Sequence, residues 1–564
     1  MATAEEIVAT LQRWFAEGVA LQETDPVQAA ERYRQVVHVA PFHGDSWHNL
    51  ALALQRLRDW PAMQAVLDEA LQKLPAEARL WRLRAECQVQ QEQWLHALTD
   101  LEAAARLQPL DVRALCLQGH AAQALERYDQ AFAAFEQAMR QAPADPVPLC
   151  RMAALCLALG QYQDALALAE HAARLAPQAT EPLLQHALAC KFLDRWEDSE
   201  HGLRRALQRQ PEEAGLWCDL GIVLHGMGRL PEAEAAFDAA LQREPDHPLS
   251  RWNRSLVLLA QGRYREGWPE YQARWRAAIN GQMPHYPFPL WQGEPLAGKR
   301  LLVHGEQGLG DCLQFIRYLE PLRTSGVQLS LHMPRALHAL FRLQWPEIPI
   351  SEQDPVQADY HVPLMDIPAR LLSTHPDPLC TVPYLRVDPQ RVATWQTMLS
   401  ALPGRKVGLV WQGSRRQGNA RSEWLDARRS LPLSRLHAVL SAIPGISWVS
   451  LQKGYGSEAR LDYQPAWPPE DAAAAFHDFA DTAACLTQLD LLISVDTSVV
   501  HLAGALGVPV WVLNRFDGDW RWGADESDAT WYASVCQYRQ STLGDWTVPL
   551  QRLQADLQRW AAGA

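Results

Sequence analysis

The chain has 564 residues, too many for one compact core, so we expect several domains. Hydrophobic residues make up 48% and charged residues 21%, as in an ordinary globular protein. The net charge of −13 argues against a general nucleic-acid binder, which needs a basic surface to neutralise phosphates.

The N-terminal segment is acidic and amphipathic, and it lacks the basic start and long apolar stretch of a signal peptide. We find no run of about 18 apolar residues, so we expect no membrane span. The ten cysteines are scattered without a C-x-x-C pair, which favours buried, reduced thiols over a metal site. We therefore expect a cytoplasmic protein with no metal and no cofactor.

A 34-residue period runs through the first half of the chain. It is kept by seven prolines: Pro41, Pro75, Pro109, Pro143, Pro177, Pro211 and Pro245. It is also kept by a series that is mostly aromatic: Trp60, Trp94, Tyr128, Tyr162, Trp196, Leu230 and Tyr264. Small residues recur as well: Ala97, Ala131, Ala165 and Ala233.

This period and these positions resemble the tetratricopeptide repeat, which has two antiparallel helices per unit. Proline ends the second helix because it lacks an N–H, and the alanines let the two helices approach closely. One unit cannot bury its apolar face alone, so the units must stack. We predict an all-α superhelix over residues 1–275, with seven regular units and a degenerate eighth.

In this repeat family the inner groove usually binds a protein client. Two positions of each unit commonly face that groove, and the candidate client-binding residues are His48, Arg82, His120, Leu184, Leu188, Ile222, Trp252 and Leu256. The apolar middle of this set favours an amphipathic helix over an extended polar peptide. The alternative is that these side chains only pack between helices.

The second half of the chain alternates apolar strands with helices. Residues 276–298 are rich in Pro and Gly and are predicted to be a linker. Strands are predicted at Arg300–His304, Gln328–His332, Tyr360–Pro363, Val407–Trp411, Trp448–Gln452, Leu491–Val495 and Val508–Leu513. Such alternation predicts parallel sheets in two Rossmann-like α/β lobes, over residues 299–385 and 386–564, with ligands at the carboxyl ends of the strands.

A glycine-rich loop follows the first predicted strand and reads G-E-Q-G-L-G. Its spacing is not that of the dinucleotide fingerprint, and it lacks the G-K-[ST] of a P-loop. Asp311 is predicted to open the next helix, where an acid also interacts favourably with the helix dipole. A structural turn with a capping acid is therefore an alternative to a functional site.

A second candidate site begins where the Leu491–Val495 strand ends. Asp496, Thr497 and Ser498 precede a predicted helix, whose free N–H groups make an anion site. The two hydroxyls can donate to a nucleotide phosphate, and His501 can reach that phosphate or the leaving-group oxygen. The alternative is a plain helix cap, since Asp, Thr and Ser all favour helix starts.

Together, G-L-G-D and S-V-D-T-S-V-V-H-L-A-G-A-L-G-V-P-V (Ser494–Val510) resemble the heptosyltransferase-related GT-B glycosyltransferases. The wider pattern is similar to a bacterial group that fuses tetratricopeptide repeats to such a domain. The matching pieces are G-W-P-E-Y-Q-A-R-W (Gly267–Trp275), W-Q-G-S (Trp411–Ser414), R-R-S-L-P-L (Arg428–Leu433), S-L-Q-K-G (Ser450–Gly454), D-W-R-W (Asp519–Trp522) and W-Y (Trp531–Tyr532). Some members of that group are flagellin glycosyltransferases.

The resemblance implies roles for individual residues. Asp311 is the implied catalytic base and His501 a second catalytic residue. The implied donor-binding residues are Gly308, Gly310, Trp411, Gln412, Arg429, Lys453, Asp496, Thr497 and Ser498. We read Asp517-Gly518-Asp519 as a turn rather than a metal motif, because GT-B enzymes usually work without a metal.

We therefore expect a glycosyltransferase that moves a sugar from a nucleotide-sugar to a protein held by the repeats, plausibly to Ser or Thr of flagellin. One alternative is an inactive scaffold in which only the repeats function. Another is a transferase that acts on lipopolysaccharide or another glycan.

Overall fold

A computed structural model describes residues 4–277, 281–352, 357–415, 418–463, 465–527 and 530–563. The chain divides into two units, residues 1–206 and 207–564.

The first unit consists of helices. They are α1 Ala4–Leu21, α2 Pro26–Val39, α3 Gly44–Arg56, α4 Trp60–Lys73, α5 Ala78–Gln90, α6 Trp94–Leu107, α7 Val112–Ala124, α8 Tyr128–Gln141, α9 Pro146–Ala158, α10 Tyr162–Leu175, α11 Thr180–Phe192 and α12 Trp196–Arg209, the last of which runs into the second unit. Short connections make consecutive helices antiparallel neighbours. The predicted tetratricopeptide-repeat array is confirmed.

Each periodic position has a defined place in these helix pairs. The prolines stand two residues beyond the second helix of a pair, and the aromatic series opens each second helix. Ala97, Ala131 and Ala165 are fully buried where the helices cross. Indole N–H groups at the same interval, on Trp47 and Trp81, donate to the carbonyls of Pro41 and Pro75 at 2.8 Å.

The turn inside each pair uses a left-handed backbone. Gly160 adopts φ 76°, but the equivalent residues Arg58, Glu92, Glu126 and Asp194 adopt φ between 54° and 60°. A side chain in this conformation costs roughly 1–2 kcal/mol. Four turns of the first unit therefore carry local backbone strain that glycine would relieve.

The second unit starts with two further helix pairs. They are α13 Ala214–Gly226 with α14 Leu230–Arg243, and α15 Pro248–Ala260 with α16 Tyr264–Tyr271, followed by α17 Ala273–Arg276. Pro269 lies inside the short α16. Trp268 and Tyr271 are 2% and 3% exposed and share a hydrophobic core with Leu301 and Phe315 of the α/β region. The degenerate eighth pair thus belongs to the core of that region.

The first sheet has four parallel strands in the order β3-β2-β1-β4. They are β1 Arg300–His304, β2 Gln328–His332, β3 Ile350–Ser351 and β4 Tyr360–Pro363. Its helices are α18 Leu309–Phe315, α19 Leu319–Arg323, α20 His338–Gln344 and α21 Ile367–Arg370. Part of the predicted linker packs on this sheet, since Leu290 bridges to His361 and Trp291 is 3% exposed.

The second sheet has six parallel strands in the order β10-β9-β8-β5-β6-β7. They are β5 Arg405–Val410, β6 Ile446–Ser450, β7 Glu470–Asp471, β8 Leu491–Val495, β9 Val510–Asn514 and β10 Val535–Arg539. Its helices are α22 Pro389–Leu399, α23 Ala420–Arg429, α24 Leu433–Leu440, α25 Phe479–Leu486, α26 Ser498–Leu506 and α27 Thr547–Ala562. The predicted α/β region with parallel sheets is confirmed.

Candidate functional site

Both sheets reverse their strand order at one point, and the candidate residues lie there. In the first sheet the reversal lies between β1 and β4, and in the second between β5 and β8. Ligands of open α/β sheets bind at such points, beyond the carboxyl ends of the strands. Asp311 follows β1, Gln412 follows β5, and Asp496 follows β8.

The glycine-rich loop after β1 is fixed by the side chain of Asp311. Its Oδ2 accepts a hydrogen bond from the N–H of Gly308 at 2.8 Å. The helix starts at Leu309, two residues before the predicted start. Asp311 is its third residue, and the carboxylate reaches back to the N–H of the cap residue Gly308.

A buried ion-pair network also stabilises the same loop. Arg274 is 1% exposed and donates to Glu306 of the loop at 2.6 and 2.8 Å. It also contacts Asp366 at 2.7 Å. Burial raises the pKa of Glu306, and the charge of Arg274 opposes that rise. The loop is thereby attached to α17, directly after the eighth helix pair.

Helices α18 and α26 meet at a glycine. A Cβ on Gly310 would lie 2.9 Å from Cδ2 of His501 and 3.4 Å from the Cα of Ser498. A larger residue at position 310 would force the helices apart. Gly310 therefore lets α18, which carries the predicted base Asp311, pack against the start of α26, the predicted phosphate site.

His501 is buried in an aromatic pocket. Its Nδ1 lies 3.1 Å from the hydroxyl of Tyr532, and its ring stacks on Trp522 with centroids 5.4 Å apart. Burial lowers the pKa of His501 to about 4, and the nearby charge of Arg521 contributes to the lowering. The ring is therefore neutral at pH 7, with one nitrogen that donates a hydrogen bond and one that accepts.

Arg521 connects a residue after β1 with a residue after β9, and this role was not predicted from the sequence. Its side chain is 7% exposed and donates to Asp311, to Oε1 of Gln314 at 2.7 Å and to Oδ1 of Asp519 at 2.7 Å. Its guanidinium also lies 4.6 Å from the ring of Trp520. The only sequence signal was its place in D-W-R-W, which has no recognisable spacing to Asp311.

The phosphate candidates surround the start of α26. Thr497 is the cap residue, and its hydroxyl lies 3.2 Å from that of Ser494. Burial raises the pKa of Asp496, and Asp519 raises it further, while Arg429 opposes the rise. A half-buried carboxylate beside the helix start makes this position less favourable for an anion unless Asp496 carries a proton.

Residues after β5 are held by Gln452. Its Oε1 accepts from the N–H groups of Trp411 at 3.1 Å and Gln412 at 3.0 Å. The Trp411 side chain is fully buried, and its indole donates to the carbonyl of Gly456 at 3.2 Å. The expectation that this side chain lines a donor pocket is wrong, because it belongs to the core.

The two predicted phosphate cations have partners within the protein. The ammonium of Lys453 donates to the carbonyl of Phe476. Arg429 contacts Asp426 at 2.9 Å and lies over Gly413, where a Cβ would be 2.6 Å from Arg429 Nε. That Nε is buried and has no hydrogen-bond partner among the described residues.

The D-x-D loop is neutralised by arginines. Asp517 contacts Arg428 at 3.1 Å and Arg515 at 3.6 Å, and Asp519 contacts Arg521 at 2.7 Å. Burial would raise the pKa of Asp519, but the charge of Arg521 and its hydrogen bonds produce a net lowering. In the described part of the chain, no cluster of three His, Cys, Asp or Glu side chains is arranged to hold a metal ion.

Three candidate client residues of the first unit make contacts within the repeats or are buried. Arg82 donates to Asp111 at 2.5 Å, and His120 lies edge-on to Trp94 at 5.3 Å. Burial lowers the pKa of His48. Leu184 and Leu188 are half-buried, so they keep some surface for a partner.

The candidate client residues of the second unit have the same degree of burial as those of the first. Ile222 and Trp252 are half-buried, and the indole N–H of Trp252 is out of reach of solvent. Leu256 packs against the core that contains Trp268 and Phe315. Leu256 is itself half-buried, so its contact with a client stays a prediction.

Part of the first half of the chain is similar to known repeat proteins. Family models described as tetratricopeptide repeat match residues 112–145, 184–240 and 218–282. Tetratricopeptide repeats typically bind protein partners. The parallel α/β region that follows is compatible with a Rossmann-like enzyme domain.

Among curated proteins, the chain is similar to protein FlbA of Caulobacter vibrioides. The two are 30% identical over 337 residues, which cover 54% of each protein. The chain thus matches about half the length of this relative.

Among solved structures, the chain matches part of the Cut9–Hcn1 hetero-tetramer of the APC/C, with a TM-score of 0.37 and 13% identity over 44% of this chain and 52% of that one. Yeast Tom70 has a TM-score of 0.34 and 15% identity over 48% of this chain and 56% of its own. Within the described residues, we find no helix long and apolar enough to cross a bilayer.

Proposed function

We propose that this protein is a glycosyltransferase that uses a nucleotide-sugar and modifies a protein held by its repeats. The observation that carries the proposal is the meeting of α18 and α26 at Gly310, beside the reversal points of both sheets. This packing supports the proposal because it brings the helix that carries Asp311 directly against the start of α26.

The donor would bind on the second sheet. The N-terminus of α26, with Thr497 and Ser498, would bind the diphosphate of a nucleotide-sugar when Asp496 is protonated, which its raised pKa favours. The positive charges of Arg521 and Arg429 suit the charge that develops on the departing diphosphate. No metal is required in this scheme, because arginines and helix N–H groups supply the positive charge.

The acceptor hydroxyl would bind beside Asp311. This carboxylate would take the hydroxyl proton as the oxygen attacks the anomeric carbon, and the bond from that carbon to the diphosphate breaks. Neutral His501 would donate a hydrogen bond near the leaving oxygen. Flagellin is the proposed acceptor, on the resemblance alone.

One observation favours an inactive scaffold as a second candidate. Asp311 accepts hydrogen bonds from both Arg521 and Gly308, so its two oxygens are engaged. A base must expose a lone pair to its substrate, and these hydrogen bonds occupy one lone pair on each oxygen. In the scaffold the repeats alone would function.

Thermal unfolding with a panel of nucleoside diphosphates separates the two candidates, because a ligand that binds the folded state raises the melting temperature. Intact-mass spectrometry of flagellin from cells with and without the gene then tests transfer. A mass loss in steps of one sugar supports the proposal. If the masses of flagellin and other abundant proteins do not change, and no nucleotide binds, the inactive scaffold is the supported function.

A further inference from the structure

One aromatic side chain stands exposed at the carboxyl end of the second sheet. Tyr455 lies in the loop after β6 and is 49% exposed, although β6 itself ends in buried residues. Exposure of a large aromatic ring costs stability that burial would recover, since a ring of this size buries about 150–250 Å². Tyr455 therefore keeps about half of its surface available for contact with a ligand.

The loop that carries Tyr455 is rigidly attached to the sheet. Gln452 is 3% exposed, and its amide donates to the carbonyl of Tyr455 at 2.9 Å and to that of Gln412 at 3.0 Å. With the two bonds that its Oε1 accepts after β5, this side chain ties the ends of β5 and β6 together. The backbone of Tyr455 is thus fixed before any ligand arrives.

Glycines on both sides of Tyr455 allow the loop to turn. Gly454 and Gly456 adopt φ 73° and 80°, which residues with a side chain rarely do. A Cβ on Gly456 would also lie 1.7 Å from Oε1 of Gln412. These two glycines let the chain turn sharply back over Gln412 while the Tyr455 side chain stays outside.

An arginine accompanies the exposed ring. The guanidinium of Arg415 lies 5.9 Å from the ring centroid of Tyr455, and Glu423 fixes it through a contact of 2.9 Å. Planar guanidinium and phenol groups both stack on flat, π-bonded rings. The pair forms a surface suited to a planar heterocycle.

The distance to the phosphate helix fits a nucleotide. Strand β6 is the neighbour of β5, which is the neighbour of β8, so two strand spacings, about 10 Å, separate the ends of β6 and β8. An extended nucleoside diphosphate spans such a length. With its diphosphate at the start of α26, its base would reach the loop after β6.

We propose that Tyr455 is the platform on which the nucleobase of the donor stacks. The inference rests on the proposed function, because it requires a nucleotide at α26, and it adds the recognition of the base. Stacking on a tyrosine face tolerates any base, so the platform contributes affinity rather than selectivity between bases.

The test compares the full-length protein with Tyr455→Ala and Tyr455→Phe by isothermal titration calorimetry. The probes are UDP, GDP, ADP and CDP, with inorganic pyrophosphate as a probe that has no base. We expect Tyr455→Ala to weaken the affinity for the nucleotide that the wild type binds by roughly 5- to 150-fold, since stacking on one ring is worth about 1–3 kcal/mol. Tyr455→Phe should bind within about twofold of the wild type, because the ring face remains.

Pyrophosphate should bind equally to all three proteins. The matched control is Leu461→Ala, which removes another exposed side chain, 60% exposed, a few residues further along the same lobe. It should leave nucleotide affinity unchanged.

Three results would overturn the inference. Equal nucleotide affinity in Tyr455→Ala would leave the proposed function standing without the platform. An equal loss of pyrophosphate binding would mean that the substitution disturbs the phosphate site and not base stacking. Absence of nucleotide binding to the wild type would overturn both the inference and the proposed function.

Discussion

Arg521 donates a hydrogen bond to the carboxylate of Asp311 from 210 residues further along the chain. The same guanidinium contacts Asp519. One cation therefore pairs with a residue that follows β1 of the first sheet and with a residue that follows β9 of the second. A buried arginine with two carboxylates is strongly held, and a diphosphate is one of the few groups able to compete for it. This relationship makes Asp311 the first residue to test.

Asp311→Asn should reduce transfer by about 100- to 10,000-fold, the usual contribution of a general base. The amide keeps the size of the side chain but cannot accept a proton. Turnover with the protein client and nucleotide binding should be measured together, and binding should persist. Glu320→Gln, an exposed acid shortly after the same helix, is the matched control and should retain full activity. Normal turnover in Asp311→Asn would remove this residue from the mechanism.

Arg274→Met should lower the free energy of unfolding by about 3–5 kcal/mol, because it leaves Glu306 and Asp366 buried without their cation. Urea unfolding followed by tryptophan fluorescence measures the loss. Arg276→Met removes an arginine of the same short helix whose side chain is 61% exposed, and it should change stability by less than about 0.5 kcal/mol. Similar effects in both variants would contradict a special role for the buried network.

His501 should make the protein less stable in acid. Its pKa is about 4 in the folded chain and 6.5 for an unperturbed histidine, so the unfolded chain binds more protons between these values. Stability from this residue is complete above pH 6.5 and is lost as the pH falls toward 4, by about 3 kcal/mol. His501→Gln should therefore show a shallower decline over that range.

Unfolding midpoints of the wild type, His501→Gln and His38→Gln at about pH 7, 5.5 and 4.5 check this expectation. His38 is exposed and serves as the control. Parallel curves for wild type and His501→Gln would refute it.

Glu92→Gly should stabilise the protein by about 0.5–1 kcal/mol, because glycine relieves the left-handed backbone at φ 57°. Three equivalent turns already carry glycine, at Gly160, Gly228 and Gly262. Glu102→Gly, inside helix α6, should instead destabilise by about 1 kcal/mol. A lower melting temperature for Glu92→Gly would show that its side chain makes a compensating contact.

A fragment of residues 211–564 should fold and bind nucleotide but modify the protein client poorly, since it lacks six of the helix pairs. A fragment of residues 285–564 should aggregate, because it also lacks Trp268, Tyr271 and Arg274, which are buried in the α/β core. Circular dichroism and size-exclusion chromatography distinguish the two. A soluble, folded 285–564 fragment would mean that the eighth helix pair is dispensable to that core.

Local patterns in the sequence were sufficient for the elements. The helix pairs follow from a 34-residue period whose prolines, alanines and aromatics act within one unit, so their effects are visible in a short window. Strands β1, β2, β4 and β8 have their predicted bounds, because each is a short apolar run between turn signals. The edge strands β3, β7 and β10 lacked such runs and were not predicted.

The chain's amino-acid sequence by itself therefore determined a repeat array followed by parallel α/β sheets, and it marked Asp311 and the Asp496–His501 segment as candidates. Only the tertiary structure decided which candidates meet. It brought Arg521 to Asp311, buried Trp411 and left Tyr455 exposed. The physical reason is that these contacts join segments far apart in the chain, whose meeting depends on how whole elements pack and leaves no local pattern.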